Sequence, residues 1–149
     1  MDIFEALRVS HRTQRELYGR LLADIREPDE RQRVFAELKH ELAAHETAEE
    51  RCFYVPLFEH DSTVDAARHG IIAEHHEMDE MVEDLEQMDD GSPSWRKCIG
   101  KLCDKIEHHL SEEEQHFFPQ ARRVLGQEQR ESLGKQYEAQ FLTLRVREG

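Results

Sequence analysis

Residues 107–119 read EHHLSEEEQHFFP and place His109 and Glu113 four positions apart within an otherwise apolar helical stripe. Side chains at this spacing are neighbours on one face of a helix, so both are expected to face the protein interior. A buried carboxylate without a partner costs several kcal/mol and would normally take up a proton. The stretch therefore predicts a helix that buries a histidine and a glutamate next to a shared partner.

An earlier stretch, residues 45–56, reads HETAEERCFYVP and repeats the same order of histidine, glutamates, aromatic pair and proline. A constant offset of 64 residues relates the two halves of the chain without a gap. The inward-facing residues that it pairs include His11 with His75, His45 with His109, Glu49 with Glu113, and Phe53 with Phe117. Such a repeat predicts two αα-hairpins of one design, packed as an antiparallel up-down four-helix bundle.

Hydrophobic periodicity predicts the individual helices at about residues 3–26, 29–58, a third segment ending near 88, 94–125 and 127–144. Asp2 is expected to cap the first helix and Ser92 or Ser94 the fourth, while Pro56 should kink or end the second. The chain is therefore predicted to be all-α, with a single domain over residues 1–149. The bundle occupies about 3–125, and an additional C-terminal helix at about 127–144 covers it or forms a dimer surface.

The composition limits the classes of partner. Charged residues make up 36% of the chain and the formal net charge is −13, so nucleic acid and anionic membrane surfaces would repel it. No segment is long and apolar enough to span a bilayer, and none is typical of a signal peptide. Three cysteines without CxxC spacing argue against a disulfide framework or a thiolate zinc site. These observations favour a cytoplasmic monomer or homodimer whose ligands are cations and small molecules.

Two buried glutamates and four buried histidines predict a shared pair of cations. Each glutamate can bridge both ions while the imidazoles divide between them, which leaves open positions for a small molecule. Imidazole and carboxylate donors without thiolate suit iron or manganese, and zinc also binds such donors. The predicted metal ligands are His11, His45, Glu49, His75, His109 and Glu113. The remaining histidines are expected at the surface, including His76 and His108, which directly neighbour predicted ligands.

This residue set resembles the hemerythrin and HHE cation-binding family over about residues 3–125. The match rests on one histidine from the first helix of each pair, HxxxE on the second, and an aromatic-aromatic-proline run after Glu113. The resemblance implies a cofactor of two iron ions joined by an oxo or hydroxo bridge. It places His11 and His45 on one iron, and His75 and His109 on the other.

Position 79 departs from the oxygen-carrying members of that family. They have HxxxH on the third helix, whereas Asp79 stands four residues after His75 here. Asp79, Glu80 and Glu46 are therefore candidates for additional metal ligands, and the missing histidine argues against reversible oxygen carriage.

The functions that the resemblance implies are dioxygen binding, oxygen or iron sensing, and peroxide breakdown. We expect catalase-like consumption of H2O2 in oxidative-stress defence, because two accessible irons suit two-electron peroxide chemistry. Tyr18 and Tyr54 are candidates for groups just outside the metal ligands. The alternatives are an O2-binding or oxygen- or iron-sensing module without turnover, and iron buffering.

Two structural alternatives use the same residues differently. In the first, each buried histidine and glutamate form a structural pair without metal. In the second, a ferritin-like site uses Glu37 with His40 and Glu113 with His116. The first helix offers no inward glutamate for that site, and Glu37 and His40 lie on a less apolar face, so the hemerythrin-like arrangement is favoured.

Overall fold

The computed structural model describes residues 1–60 and 65–148, and within them it contains helices and no strand. The helices are α1 (Ile3–Leu22), α2 (Pro28–Glu49), α3 (Val55–His60), α4 (Asp65–Glu86), α5 (Pro93–Glu112), α6 (Phe118–Val124) and α7 (Gln127–Glu148). Two π-helical turns, Glu50–Tyr54 and Glu113–Phe117, join α2 to α3 and α5 to α6. Each joined pair runs as one helix, so the described residues form five long helices. The sequence also predicts a polar connection near His60–Ser62, and this falls mostly outside the described residues.

The helix starts follow from side-chain caps. Asp2 Oδ1 accepts a hydrogen bond of 2.9 Å from the Glu5 amide, and Ser92 Oγ accepts one of 3.2 Å from the Trp95 amide. Both caps satisfy an amide that has no partner within the helix. The two predicted capping positions are therefore confirmed, with Ser92 rather than Ser94 serving the fourth helix.

Helix α1 ends at Leu22, earlier than the predicted residue 26. The cause is Asp24, which has φ 61° and so lies in the left-handed region that ends a helix. Ile25 packs against the bundle core from the loop that follows, and it is half-buried there. Its apolar character reflects this loop contact rather than a continuing helix.

The second helix continues past Pro56 to His60, so Pro56 does not end it, and of the two predicted effects, a kink or an end, only the end is excluded. In a regular α-helix a proline ring collides with the carbonyl four residues earlier. The π-helical turn before Pro56 widens the backbone at that point, and Pro119 follows the other π-helical turn at the same distance. The wider turn also shifts the helical phase. Phe118 is fully buried and Phe117 only half-buried, which corrects the expectation that Phe117 faces inward.

Helices α1, α2, α4 and α5 surround the bundle interior, with α1 packed on α2, α2 on α4, α4 on α5, and α5 on α1. This is the predicted all-α, up-down four-helix bundle. Helix α7 packs across α1 and α2 and buries Leu133 and Tyr137 against them. It therefore covers one side of the bundle, and it extends beyond the predicted residue 144. Among the helices of the described part, none is long and apolar enough to cross a membrane.

The interior is divided into two apolar clusters. We call them the upper cluster, which includes Phe4, Leu7, Phe53, Ile71 and Phe118, and the lower cluster, which includes Leu21, Leu38, Leu85, Trp95 and Leu102. Each bundle helix passes from one cluster to the other. On each helix, the predicted histidine or glutamate lies between the residues of the two clusters. The bundle therefore has a polar layer between two apolar ends.

Candidate metal centre

The six predicted ligands meet in this polar layer, and each of them is at most 8% exposed. His11 comes from α1, His45 and Glu49 from α2, and His75 from α4. The second half adds His109 from the end of α5 and Glu113 from the start of the following π-helical turn. Their neighbours His76 and His108 are exposed, so the helical phase turns the intended histidine of each adjacent pair inward.

The four histidines form two similar pairs. The rings of His11 and His45 have centroids 5.1 Å apart at 69°, and those of His75 and His109 are 4.9 Å apart at 70°. Within the second pair the two Nε2 atoms are 3.2 Å apart. The offset of 64 residues in the sequence thus appears as two matching halves in space.

The two glutamates stand between these histidine pairs. Glu49 has Oε2 3.3 Å from His45 Nε2 and Oε1 3.7 Å from His75 Nε2. Glu113 has Oε1 3.0 Å from His11 Nε2 and Oε2 4.0 Å from His109 Nε2. Each carboxylate therefore directs one oxygen to each histidine pair, which is the arrangement that a bridging ligand needs.

Many of these atoms have no hydrogen-bond partner among the described residues. They are His11 Nε2, His45 Nε2, Glu113 Oε1 and both side-chain oxygens of Glu49. Most buried polar atoms in proteins are hydrogen-bonded, so a group of them facing one space calls for a ligand. Ligand atoms of His11, His45, Glu49 and Glu113 lie within 4.8 Å of one another, as do those of Glu49, His75 and His109. These donors are able to bind metal, and they fit two neighbouring cations that share Glu49.

The Nδ1 atoms of two of these histidines are hydrogen-bonded to residues that were not among the predicted site residues. His11 Nδ1 lies 2.6 Å from Glu114 Oε2, and His45 Nδ1 lies 2.7 Å from the Tyr137 hydroxyl. That hydroxyl is also 2.6 Å from Ser10 Oγ. Partners of this kind fix the orientation and tautomer of a ligating histidine. Glu114 follows Glu113 and shares the repeat, so a signal for it existed, whereas Tyr137 reads only as an apolar residue of α7.

Arg15 anchors Glu114 from the protein surface. Its guanidinium donates hydrogen bonds of 2.9 Å to Glu107 Oε1 and to Glu114 Oε2. Glu107 also accepts a hydrogen bond of 2.7 Å from Tyr18 and one of 2.5 Å from Ser111. Tyr18 therefore belongs to this outer network rather than to the shell of the predicted ligands.

Tyr54 lies against the centre itself. Its hydroxyl donates a hydrogen bond of 2.5 Å to Glu113 Oε2, and both side chains are almost completely buried. Burial raises the pKa of the Tyr54 hydroxyl well above its ordinary value, and the nearby Glu113 carboxylate raises it further. The hydroxyl therefore keeps its proton and acts as a hydrogen-bond donor to this glutamate.

The two central glutamates have opposite pKa shifts. Burial raises the pKa of Glu49 well above its usual range, and the Glu113 charge adds to the effect. Burial acts in the same direction on Glu113, but the neighbouring His11 and Glu49 side chains outweigh it and hold the pKa of Glu113 well below the usual range. Burial lowers the pKa of His75 to about 3, with the His109 charge contributing. His75 is therefore neutral near pH 7, the form that binds a metal.

Three further candidates lie outside the central group. Glu46 is buried beside His45, whereas Asp79 and Glu80 are exposed on α4. None of the three joins the donor groups found among the described residues. The ferritin-like alternative also fails, because the His116 side chain is 61% exposed and Glu37 pairs with Arg145.

Comparisons with known proteins identify the fold and the family of this chain. The family model described as the hemerythrin HHE cation binding domain matches residues 2–121. The crystal structure of a hemerythrin HHE cation binding domain-containing protein from Mycobacterium kansasii has a TM-score of 0.85 and 22% sequence identity. That likeness covers 99% of this chain and 89% of the other, and at this identity it shows a shared fold.

A curated relative from Nostoc sp. (strain PCC 7120 / SAG 25.82 / UTEX 2576), named a DNA nickase, is 24% identical over 139 residues. The match covers 93% of this chain but spans only 39% of that relative's length. The family model matches most of the chain, and the fold is consistent with it. This chain therefore belongs to the hemerythrin HHE cation-binding family.

Proposed function

We propose that this chain binds two iron ions and consumes H2O2 in the cytoplasm, with two molecules of peroxide giving two of water and one of O2. The proposed ligands are the six predicted residues, with His11 and His45 serving one ion and His75 and His109 the other. The observation that supports this assignment is that Glu49 and Glu113 each direct one oxygen to each histidine pair. A structural histidine-glutamate pair without metal would leave fewer buried donor atoms unpartnered.

Two iron ions, when bound, supply the two-electron oxidation and reduction that peroxide breakdown requires; manganese and zinc are the other metals that these donors accept. The surrounding residues provide a dry and oriented site. Tyr54 holds Glu113 and keeps a proton next to it, while Tyr137 and Glu114 orient His45 and His11. Phe53 and Phe118 are fully buried in the upper cluster and limit the entry of water from that end.

Metal stoichiometry tests the assignment directly. The iron-loaded chain should hold two irons and show a near-ultraviolet charge-transfer absorption, both of which His109→Ala should reduce. His108→Ala is the matched control, because it removes the adjacent histidine, which is exposed. Glu113→Gln should likewise reduce the iron content, with Glu112→Gln as its control. At most one iron in the wild type, or full loading of His109→Ala, would refute the two-iron proposal.

Activity tests the peroxide part of the proposal. Adding H2O2 to the iron-loaded chain should release O2 continuously, in a molar ratio of one to two with peroxide consumed. His109→Ala should abolish this release, and His108→Ala should retain it. A spectrum that changes reversibly with O2 while peroxide persists would instead support the dioxygen-binding or sensing alternative. Iron buffering would show neither response.

The activity named for the Nostoc relative is not part of the proposal. This chain spans 39% of that protein and carries a formal charge of −13. A strongly acidic surface repels the DNA backbone, which most DNA-binding proteins contact through basic residues.

A further inference from the structure

A buried acid lies at the seam where α7 packs against α2. Glu41 on α2 is only 5% exposed, and its Oε2 has no hydrogen-bond partner among the described residues. An ionised carboxylate in such a place has lost its hydrating water without gaining a partner, so burial favours the neutral acid. Helix α7 therefore packs here most firmly when Glu41 carries a proton.

Two contacts define how α7 lies along α2. The Tyr137 hydroxyl is 2.7 Å from His45 Nδ1. Eight residues further along α7, Arg145 donates a hydrogen bond to Glu37, which precedes His45 by eight residues on α2. The two helices are thus antiparallel, and Glu41 lies midway between the two contacts. A charge on Glu41 acts on the same stretch of α7 that places Tyr137 on His45.

The ionisable groups around Glu41 do not balance a charge on it. Arg145 is the cation that acts on Glu41, but its guanidinium is already bound to Glu37, and its Nη1 is buried without a partner among the described residues. Glu37 itself repels a second negative charge. Burial raises the pKa of Tyr137 and lowers the pKa of His45, so both of these groups are uncharged near pH 7.

The other helices that pack against α2 bring no balancing charge. In the turn of α1 after His11, the buried residues are Gln14 and Leu17, and both are uncharged. Helix α4 meets α2 on another side, at a cleft whose lining includes Glu46. Burial therefore dominates, and it raises the pKa of Glu41 to about 7.

We propose that Glu41 is a pH-sensitive latch for α7, which packs tightly while this acid is neutral and loosens once it ionises, withdrawing Tyr137 from His45. In the loosened state Glu41 faces water and has its ordinary pKa of 4.5, whereas the packed state keeps the proton up to about pH 7. The preference for the packed state is therefore complete below pH 4.5 and is lost as the pH rises to 7. The loosened fraction should increase by up to about 70-fold between pH 5 and pH 8.

Hydrogen exchange of the metal-free full chain, followed by mass spectrometry, tests the latch. The measured quantity is the protection factor, which removes the effect of pH on the intrinsic exchange rate. For residues 137–145 it should fall about tenfold or more from pH 5 to pH 8 in the wild type, and stay constant within about threefold in Glu41→Gln. Glu138→Gln is the matched control, because it removes an exposed acid from α7 and should keep the wild-type response.

A constant protection factor in the wild type, or an equal fall in Glu41→Gln, would overturn the latch. Arg145→Gln is the second variant, since it leaves Glu41 in place and is informative even if Glu41→Gln folds poorly. Arg145 opposes the rise in the pKa of Glu41, so its removal should move the midpoint of the fall to higher pH. A midpoint that stays in place or moves to lower pH would contradict the proposed electrostatics.

The effect of the latch on the metal centre rests on the proposed function. Iron release from the loaded chain to an excess of chelator measures this effect. Wild type and Glu41→Gln should release iron at equal rates at pH 5, and at pH 8 the variant should be slower by about fivefold or more, because α7 stays packed. Equal rates at pH 8 would overturn the link to the centre and leave the latch intact. A chain that holds no iron would refute the proposed function, while hydrogen exchange would still decide the latch.

Discussion

The Tyr137 hydroxyl offers a sharp test of how α7 supports the centre. This group is 2.7 Å from His45 Nδ1 and 2.6 Å from Ser10 Oγ, and all three residues are buried. Tyr137→Phe keeps the ring and removes one atom, so both partners lose a hydrogen bond in a place that water does not reach. Each buried group left unsatisfied costs about 1–3 kcal/mol. We expect the free energy of unfolding of the metal-free chain to fall by about 2–3 kcal/mol.

The measurement is urea unfolding followed by circular dichroism, with the slope compared between variants to confirm that only the midpoint moves. Tyr18→Phe is the matched control. Its hydroxyl bonds to Glu107, which is half-buried and keeps Arg15 and Ser111 as donors. That variant should therefore lose only about 0.5–1 kcal/mol.

The same substitution should also weaken metal binding, because the second nitrogen of a ligating histidine needs a partner to hold its ring. A loss of about 10–100-fold in affinity is typical for such outer contacts. Equal unfolding free energies for Tyr137→Phe and Tyr18→Phe, within about 0.5 kcal/mol, would refute the account of α7. In that case α7 would cover the bundle without orienting His45.

Three other perturbations test separate parts of the structure. Glu107→Gln should destabilise the chain by up to about 1 kcal/mol above pH 4.5, because Arg15 above all lowers the Glu107 pKa to about 2 in the folded state. This loss of stability should vanish as the pH falls toward 2. A stability difference between wild type and variant at pH 2.5 as large as that above pH 4.5 would contradict the prediction. Gly134→Ala should destabilise by about 1–3 kcal/mol, because the new Cβ would collide with the Met1 carbonyl and lie 2.7 Å from the Asp2 carbonyl carbon, whereas Gly19→Ala meets nothing nearby and should be neutral or stabilising in thermal unfolding. A thiol reagent at pH 8 should modify Cys98 well before Cys103, whose burial raises its pKa to about 12; mass spectrometry that finds Cys103 modified first would refute its placement.

The bundle and its polar layer were predictable because helical periodicity is a local property. His109 lies in phase with Leu102 and Ile106, and the exposed His108 does not, so the choice between adjacent histidines followed from sequence alone. The offset of 64 residues then identified the matching helix pair. The helix ends were harder to predict. Asp24 lies in the left-handed region, and two π-helical turns interrupt the long helices; composition does not reveal either feature of the backbone.

The contacts that surround the centre were not predictable in the same way. Tyr137 lies 92 residues from His45 in sequence, and its polar atom is one end of a side chain that otherwise reads as core. The burial of Glu46 likewise depends on how α2 packs against α4. Such pairings form only when helices from distant parts of the chain come together.

The sequence by itself determined the helical class, the repeat, and which six side chains face inward, because spacing along one helix sets these properties. The tertiary structure alone decided that each glutamate has one oxygen toward each histidine pair, that α7 places a hydroxyl on His45, and that Glu46 faces a cleft. These features depend on the distances between atoms of different helices, and those distances are set by packing across the bundle.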